Sequence, residues 1–208
     1  MPTNAAITRH HTDPPGVDPY VPGQRPGRFP IQIVDYQERW PADFERVAAR
    51  VREALGPAIL DLQHVGSTSV PGLPGKPVID VDLVVADPAD EPAYIPALEA
   101  RGFVHIIREP WWHEHRLLKH EDPVSQLHVF GPDCPEVVRH LMFREWLIER
   151  PDERELYAEA KRAAARKMNA RPGGGTGMEY NRHKEPVVRE MYERMFVARG
   201  LKHRSTSR

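Results

Sequence analysis

The chain has one cysteine, Cys134. A single thiol excludes an internal disulfide framework and any zinc site that needs two or more thiolates from one chain. It is in keeping with a reducing cytosol. Excess charge is also missing: 29 Lys and Arg against 30 Asp and Glu leave a formal net charge of -1. No global basic field is available to draw in DNA or RNA, so nucleic acid is not an expected partner, although a local patch stays open. No apolar run approaches the roughly 18 residues needed to cross a bilayer. The N-terminus lacks the apolar core of a secretory signal. A cytoplasmic protein without a membrane partner is expected. No fixed-period repeat appears. A P-loop is absent too: in the run Arg171-Pro-Gly-Gly-Gly-Thr-Gly177 the last glycine is followed by Met178, where the pattern needs Lys and then Ser or Thr. That run reads as a flexible inter-helix loop or a lid.

What is present is material for one domain with appendages. The chain has 208 residues, 40% hydrophobic and 28% charged, enough for a sizeable core. Residues 1–27 carry six prolines and three glycines with almost no large aliphatics. Such a segment buries too little surface to offset its ordering entropy and reads as a flexible or surface-draped arm. The body is expected over 28–197 and a frayed tail over 198–208. Within the body, 31–36, 58–65, 78–85, 103–107, 116–120 and 126–130 read as strands. Helices are expected over 41–55, 91–101, 135–149, 152–168 and about 181–198, with Pro186 pushing the true start of the last one later. Strands first and helices last is an α+β pattern, a mixed sheet with a helical C-terminal subdomain.

The stretch Gln63-His-Val-Gly-Ser-Thr-Ser-Val-Pro-Gly-Leu-Pro-Gly-Lys-Pro-Val-Ile-Asp-Val-Asp-Leu-Val-Val85 carries the chemistry. Asp80 and Asp82 are two apart on a strand, so both carboxylates project from one face while Val81 and Leu83 face the core. Carboxylates so placed repel unless a cation lies between them, and Mg2+ suits one or two carboxylates plus phosphate oxygens. Gly66 permits close backbone approach, while Ser67 and Thr68 offer hydroxyls and N–H groups to phosphate. A phosphate grip beside a metal grip is the minimum kit for nucleotidyl or phosphoryl transfer. Taken singly, an Asp-x-Asp or a Gly-Ser turn is equally well a solvated strand face and a tight turn.

The combination resembles the nucleotidyltransferase signature of the polymerase-β-like superfamily. More narrowly, HVGSTSVPGLPGKPVIDVDLVV resembles the hallmark of the GrpB family, also called UPF0157. IVDYQERWPADFERV, QLHVF, FREWLIERPDERELYAEAKRAAA and EYNRHKEPVVREM resemble its other motifs, over about residues 28–197. The resemblance implies a nucleotidyltransferase-like fold with a cleft between sheet and helices. It implies Mg2+ (or Mn2+) at Asp80 and Asp82, and a nucleoside triphosphate gripped by Gly66, Ser67 and Thr68. Lys76, Arg144 and Lys161 would neutralise phosphate charge, and an unidentified small molecule or protein would accept the nucleotidyl group. Because some family members are fused behind dephospho-CoA kinase, it equally admits a non-catalytic binding or folding-accessory module. One departure matters: His128 stands where active nucleotidyltransferases carry a third acid. It can serve as ligand or base but supplies no third negative charge.

Each further candidate has two readings. His64 either touches ligand or orients the Gly-Ser loop. His115, with His113, either borders the pocket or sits at a loop edge, and a zinc reading of the pair is the weaker one. Trp111 and Trp112 either stack on a base or anchor a loop. Tyr180 and Lys184, four apart, either close the site or staple the last helix. The sequence leaves the base, the acceptor and the oligomeric state open.

Overall fold

The computed structural model describes residues 1–203. A five-stranded mixed sheet stands at its centre, built from β1 (Asp61–Val65), β2 (Ile79–Val84), β3 (Val104–Glu109), β4 (His115–Glu121) and β5 (Val124–Phe130) in the order β1-β2-β5-β4-β3. β2 and β5 run parallel; every other pair is antiparallel. Alternation divides the sheet. Ile79, Val81, Leu83, Leu127 and Val129 turn to one face and join Val47, Val51 and Leu55 of α2 (Trp40–Leu55) and Leu98 of α3 (Ile95–Glu99) in the main core. Asp80, Asp82, Gln126 and His128 turn to the other face. The register sets Asp80 beside Gln126 and Asp82 beside His128.

That second face is roofed by α4 (Pro135–Glu149), α5 (Pro151–Asn169) and α6 (Gly177–Ala198). They hold one another through a cluster of Leu147, Tyr157, Ala158 and Met191 and a second one of Trp146, Tyr192, Met195 and Phe196. The α+β expectation, strands first and a helical C-terminal part, is therefore met.

The N-terminal segment lies along the body. Its short helix α1 (Asn4–Thr8) buries Ile7 against the second helical cluster. Farther on, Pro19 and Val21 hydrogen-bond to Arg108 and Ile106, covering the β3 edge that would otherwise offer unpaired backbone groups.

Several boundaries differ from expectation for identifiable reasons. Residues 31–36 make no strand. Ile31 instead spends both backbone groups on the Asn169 side-chain amide, at 2.7 and 2.9 Å, and Val34 forms only an isolated bridge to Gly75. The helix expected over 91–101 splits into a 3-10 turn and α3, because Pro92 and Pro96 each remove a helical donor. β1 starts at Asp61, after a 3-10 turn over Gly56–Ala58. α6 starts earlier than expected and carries Pro186 in its interior. Its start is fixed by a capping box between Thr176 and Glu179. The glycine-rich run before it is clamped by paired backbone hydrogen bonds between Gly175 and Phe29, both 3.2 Å.

Candidate functional site

A cavity of about 280 Å³ opens between the second sheet face and the helical roof. Its floor is Asp80 and the neighbouring β5 residues Gln126 and His128. Ser67 and Lys76 reach it from the β1–β2 loop, Arg144 and His140 from α4, Lys161 from α5, and Tyr180 and Lys184 from α6. Residues from six separate segments thus converge on one space.

The Gly-Ser turn does face the aspartates. Gly66 has φ +68, a conformation L side chains rarely adopt. A Cβ there would come within 2.9 Å of Asp80 Cβ and closer still to its carboxylate. Glycine lets the loop lie directly on Asp80 and swings Ser67 into the cavity. Arg144 Nη1 donates to the His64 carbonyl at 2.7 Å, tying the end of β1 to α4 while its side chain still borders the cavity. His64 stacks on Phe44 with ring centroids 4.7 Å apart and bonds Thr68 Oγ1 at 3.0 Å. Burial lowers its pKa to about 4, so it is neutral near pH 7. His64 and the buried Thr68 therefore shape the loop and do not line the cavity.

The two aspartates live in different surroundings. Asp80 keeps 30% of its side-chain surface exposed to the cavity, and His128 Nε2 lies 4.0 Å from its Oδ1. Burial raises the Asp80 pKa, but the neighbouring His128, with Lys76 and Lys184, outweighs it and holds the carboxyl below its usual value. Asp82 is completely buried. His140 Nδ1 sits 2.8 Å from its Oδ2, while Oδ1 has no hydrogen-bond partner among the described residues. Burial alone would lower the His140 pKa; the Asp82 charge and hydrogen bond reverse this and raise it to about 9. His140 is thus an imidazolium at neutral pH, already balancing Asp82.

The cationic side is a set of lysines on an aromatic wall. Lys76 Nζ lies 5.3 Å from the Tyr180 ring centroid and Lys184 Nζ 5.4 Å from the same ring. Lys184 also donates to Tyr157 Oη at 3.1 Å. Lys161 is 2% exposed and contacts Ser67 Oγ. Burial lowers the Lys76 pKa, with Lys184 and Lys119 adding to it against Asp80. Cations gathered this closely around a single cavity-facing carboxylate leave an electropositive surface matched to an anion.

Behind the floor runs a hydrogen-bonded chain. Glu109 Oε2 lies 2.7 Å from His115 Nδ1, and His115 Nε2 lies 3.0 Å from His128 Nδ1. Burial first, then Asp13, pushes the Glu109 pKa up to about 7 against His128. Burial and the neighbouring histidines keep His115 well below the usual imidazole value. His115 is therefore a buried prop for His128, not a wall of the cavity. Trp112 borders the cavity and packs edge-on to His115, centroids 4.9 Å apart. Trp111 and His113 lie away from it.

A hard cation would find few donors here. Among the described residues no group of three or more His, Cys, Asp or Glu side chains converges to hold a metal. Asp80 and the unpartnered Asp82 Oδ1 are the oxygen donors present, a set that suits one Mg2+ completed by phosphate oxygens and water.

Reasoning from sequence passed over His140, Tyr157 and Glu109. His140 had a signal: it stands four residues before Arg144, on the α4 face that meets the sheet. Tyr157 had the same signal, four residues before Lys161 on α5; Glu109 had none, since only the fold brings it to the histidines.

Fold and cleft define an α+β protein whose mixed sheet carries an electropositive pocket under a helical roof. The family model of the GrpB protein matches residues 30–194, and the chain belongs to the GrpB family. It is 48% identical to a UPF0157 protein of Halalkalibacterium halodurans over 141 residues, 68% of this chain and 72% of that protein. A dephospho-CoA kinase of Mycolicibacterium paratuberculosis is 32% identical over 194 residues, covering 80% of this chain but 46% of the kinase. The crystal structure of the conserved protein GrpB from Enterococcus faecalis superposes with a TM-score of 0.69 at 24% identity, covering 81% of this chain and 99% of that one. No helix among the described residues is long and apolar enough to cross a membrane.

Proposed function

We propose that the cleft binds a phosphate-bearing nucleotide and transfers its nucleotidyl group to a small-molecule or protein acceptor. The observation that carries this reading is the convergence of Lys76, Lys161 and Lys184 with Ser67 opposite Asp80, the one carboxylate among the described residues that lines the cavity. The lysines and Arg144 would take the phosphates, and the aromatic faces of Tyr157 and Tyr180 would border the remainder of the ligand. Asp80 and Asp82 would hold Mg2+ or Mn2+, which when bound spreads the negative charge of the phosphate oxygens. His128, beside Asp80 and propped by His115, would orient an acceptor hydroxyl or receive its proton. Fixed positive charge around a reacting phosphate is what lowers the barrier in such transfers.

A second reading is favoured by two observations. β5 offers His128 where a third acid would stand, and Asp82 is already balanced by His140. That arrangement supports binding without turnover, as in a module accessory to a kinase: the match to the dephospho-CoA kinase relative spans 46% of that protein. Pyrophosphate release from nucleoside triphosphates with Mg2+ or Mn2+ separates the two. Release that is lost in Asp80→Asn supports the transferase. Nucleotide binding without release, with acceptors of the CoA-precursor class present, supports the module.

A further inference from the structure

Lys161 carries more than the grip on phosphate requires. It is 2% exposed, and its one hydrogen-bond partner among the described residues is Ser67 Oγ; no carboxylate pairs with it. The Tyr157 ring lies 5.0 Å from Nζ. The pair is packed against bare backbone: a Cβ on Gly75 would sit 3.0 Å from Ser67 Cβ and 3.1 Å from Lys161 Nζ. The charged groups facing Lys161 are Lys184 from α6, Asp80 from β2 and Lys76 from the loop before β2. Burial first, then the two lysines against Asp80, holds its pKa well below the usual lysine value. Burial disfavours the charged form of an amine with no paired carboxylate among the described residues; in its neutral form it has a lone pair able to take a proton, and its neighbour is a hydroxyl that borders the cavity.

We propose that Ser67 and Lys161 form a nucleophile–base pair in which Ser67 Oγ attacks a phosphorus-centred electrophile held in the cleft. For the natural ligand this rests on the nucleotide reading proposed above, the electrophile being a phosphorus of its phosphate chain. Lys161 Nζ accepts the Ser67 hydroxyl proton as the Oγ–P bond forms. The P–O bond to the leaving phosphate breaks, and that oxygen keeps the electron pair. Ser67 is then a phosphoester and Lys161 an ammonium beside the departing anion. In the second half an acceptor hydroxyl or water oxygen attacks the same phosphorus and releases its proton to solvent. Oγ leaves and recovers its proton from Lys161. The pairing of a hydroxyl with a base that has no other partner is the general form of an activated nucleophile.

The test uses the full chain and a fluorophosphonate, whose P–F bond breaks as Oγ–P forms, releasing fluoride while Lys161 takes the proton. Intact mass and peptide mapping should find one adduct, on Ser67, absent in Ser67→Ala. In Lys161→Met its rate at pH 7 should fall by roughly 10²–10⁴-fold, the usual contribution of a general base. No adduct on Ser67 in the wild type, or an undiminished rate in a folded Lys161→Met, overturns the pair. Should Lys161→Met fail to unfold cooperatively, the wild-type pH profile decides. A rate that levels off well below the ordinary lysine value of 10.5 supports the pair, and a rate that climbs with hydroxide throughout overturns it. Titration of ATP into the same wild-type preparation keeps the two ideas separate. ATP binding without labelling removes the nucleophile and leaves the nucleotide cleft standing. Labelling without ATP binding removes the nucleotide and leaves the pair.

Discussion

The Asp82–His140 pair sets a pH dependence that can be worked out in advance. The His140 pKa rises from the ordinary 6.5 to about 9 because the imidazolium meets a fully buried carboxylate at 2.8 Å. A pKa raised by folding contributes stability that is fully present below pH 6.5 and disappears as pH rises through about 9. A rise of this size corresponds to about 3 kcal/mol. For a chain of this length each kcal/mol moves Tm by roughly 2–4 °C, so the pair alone should lower Tm by roughly 6–12 °C between pH 6 and pH 10. His140→Gln keeps an amide donor for Asp82 but cannot titrate. The assay is thermal unfolding by circular dichroism at half-unit pH steps, wild type minus variant. The difference should be largest at pH 6 and close towards pH 10. A wild-type-minus-variant difference that stays flat across that range would refute the claim that His140 is charged against Asp82.

Other expectations follow from single contacts. Glu109, whose pKa burial raises to about 7, carries a penalty that grows as pH climbs from 4.5 through that value. Glu109→Gln should therefore be more stable than wild type at pH 8, by about 1–3 kcal/mol in urea unfolding. Gly66→Ala combines a left-handed φ with a clash on Asp80. It should cost about 1–3 kcal/mol and abolish nucleotide binding, read by thermal unfolding and calorimetry. Leu127→Ala, in a fully buried position over α2, should cost about 2–5 kcal/mol without changing ligand specificity. Lys184→Ala should weaken nucleotide binding and reduce its salt dependence, because it removes one of the cations lining the cleft.

Much of this architecture was legible from pattern. The 3.6 period of Phe44, Val47, Val51 and Leu55 marked α2, and Pro135 and Pro151 marked the starts of α4 and α5. The side-chain period of two placed Asp80 and Asp82 on one face, as observed. The sequence could not separate their roles. Whether a carboxylate faces the cavity or the His140 imidazole depends on α4, which lies more than fifty residues later in the chain. Ile31 misled because an apolar run reads as a strand whether its backbone partners are another strand or one asparagine side chain. The convergence of Lys76, Lys161 and Lys184 was only partly readable. Each lysine alone is indistinguishable from a solvated surface charge, and their distance in sequence hides that α5, α6 and the β1–β2 loop meet. The family resemblance brought these lysines into view; the fold puts them around one carboxylate.

The central claim is that this lysine-lined cleft is a nucleotide phosphate site. The most direct measurement is isothermal titration of ATP, with and without Mg2+, into the wild type and the Lys76→Ala/Lys184→Ala double variant. The account predicts saturable binding to the wild type at one site per chain, weakened at least about tenfold by salt or by loss of the two lysines. Binding that is absent from the wild type, or equally tight without both lysines, would contradict it.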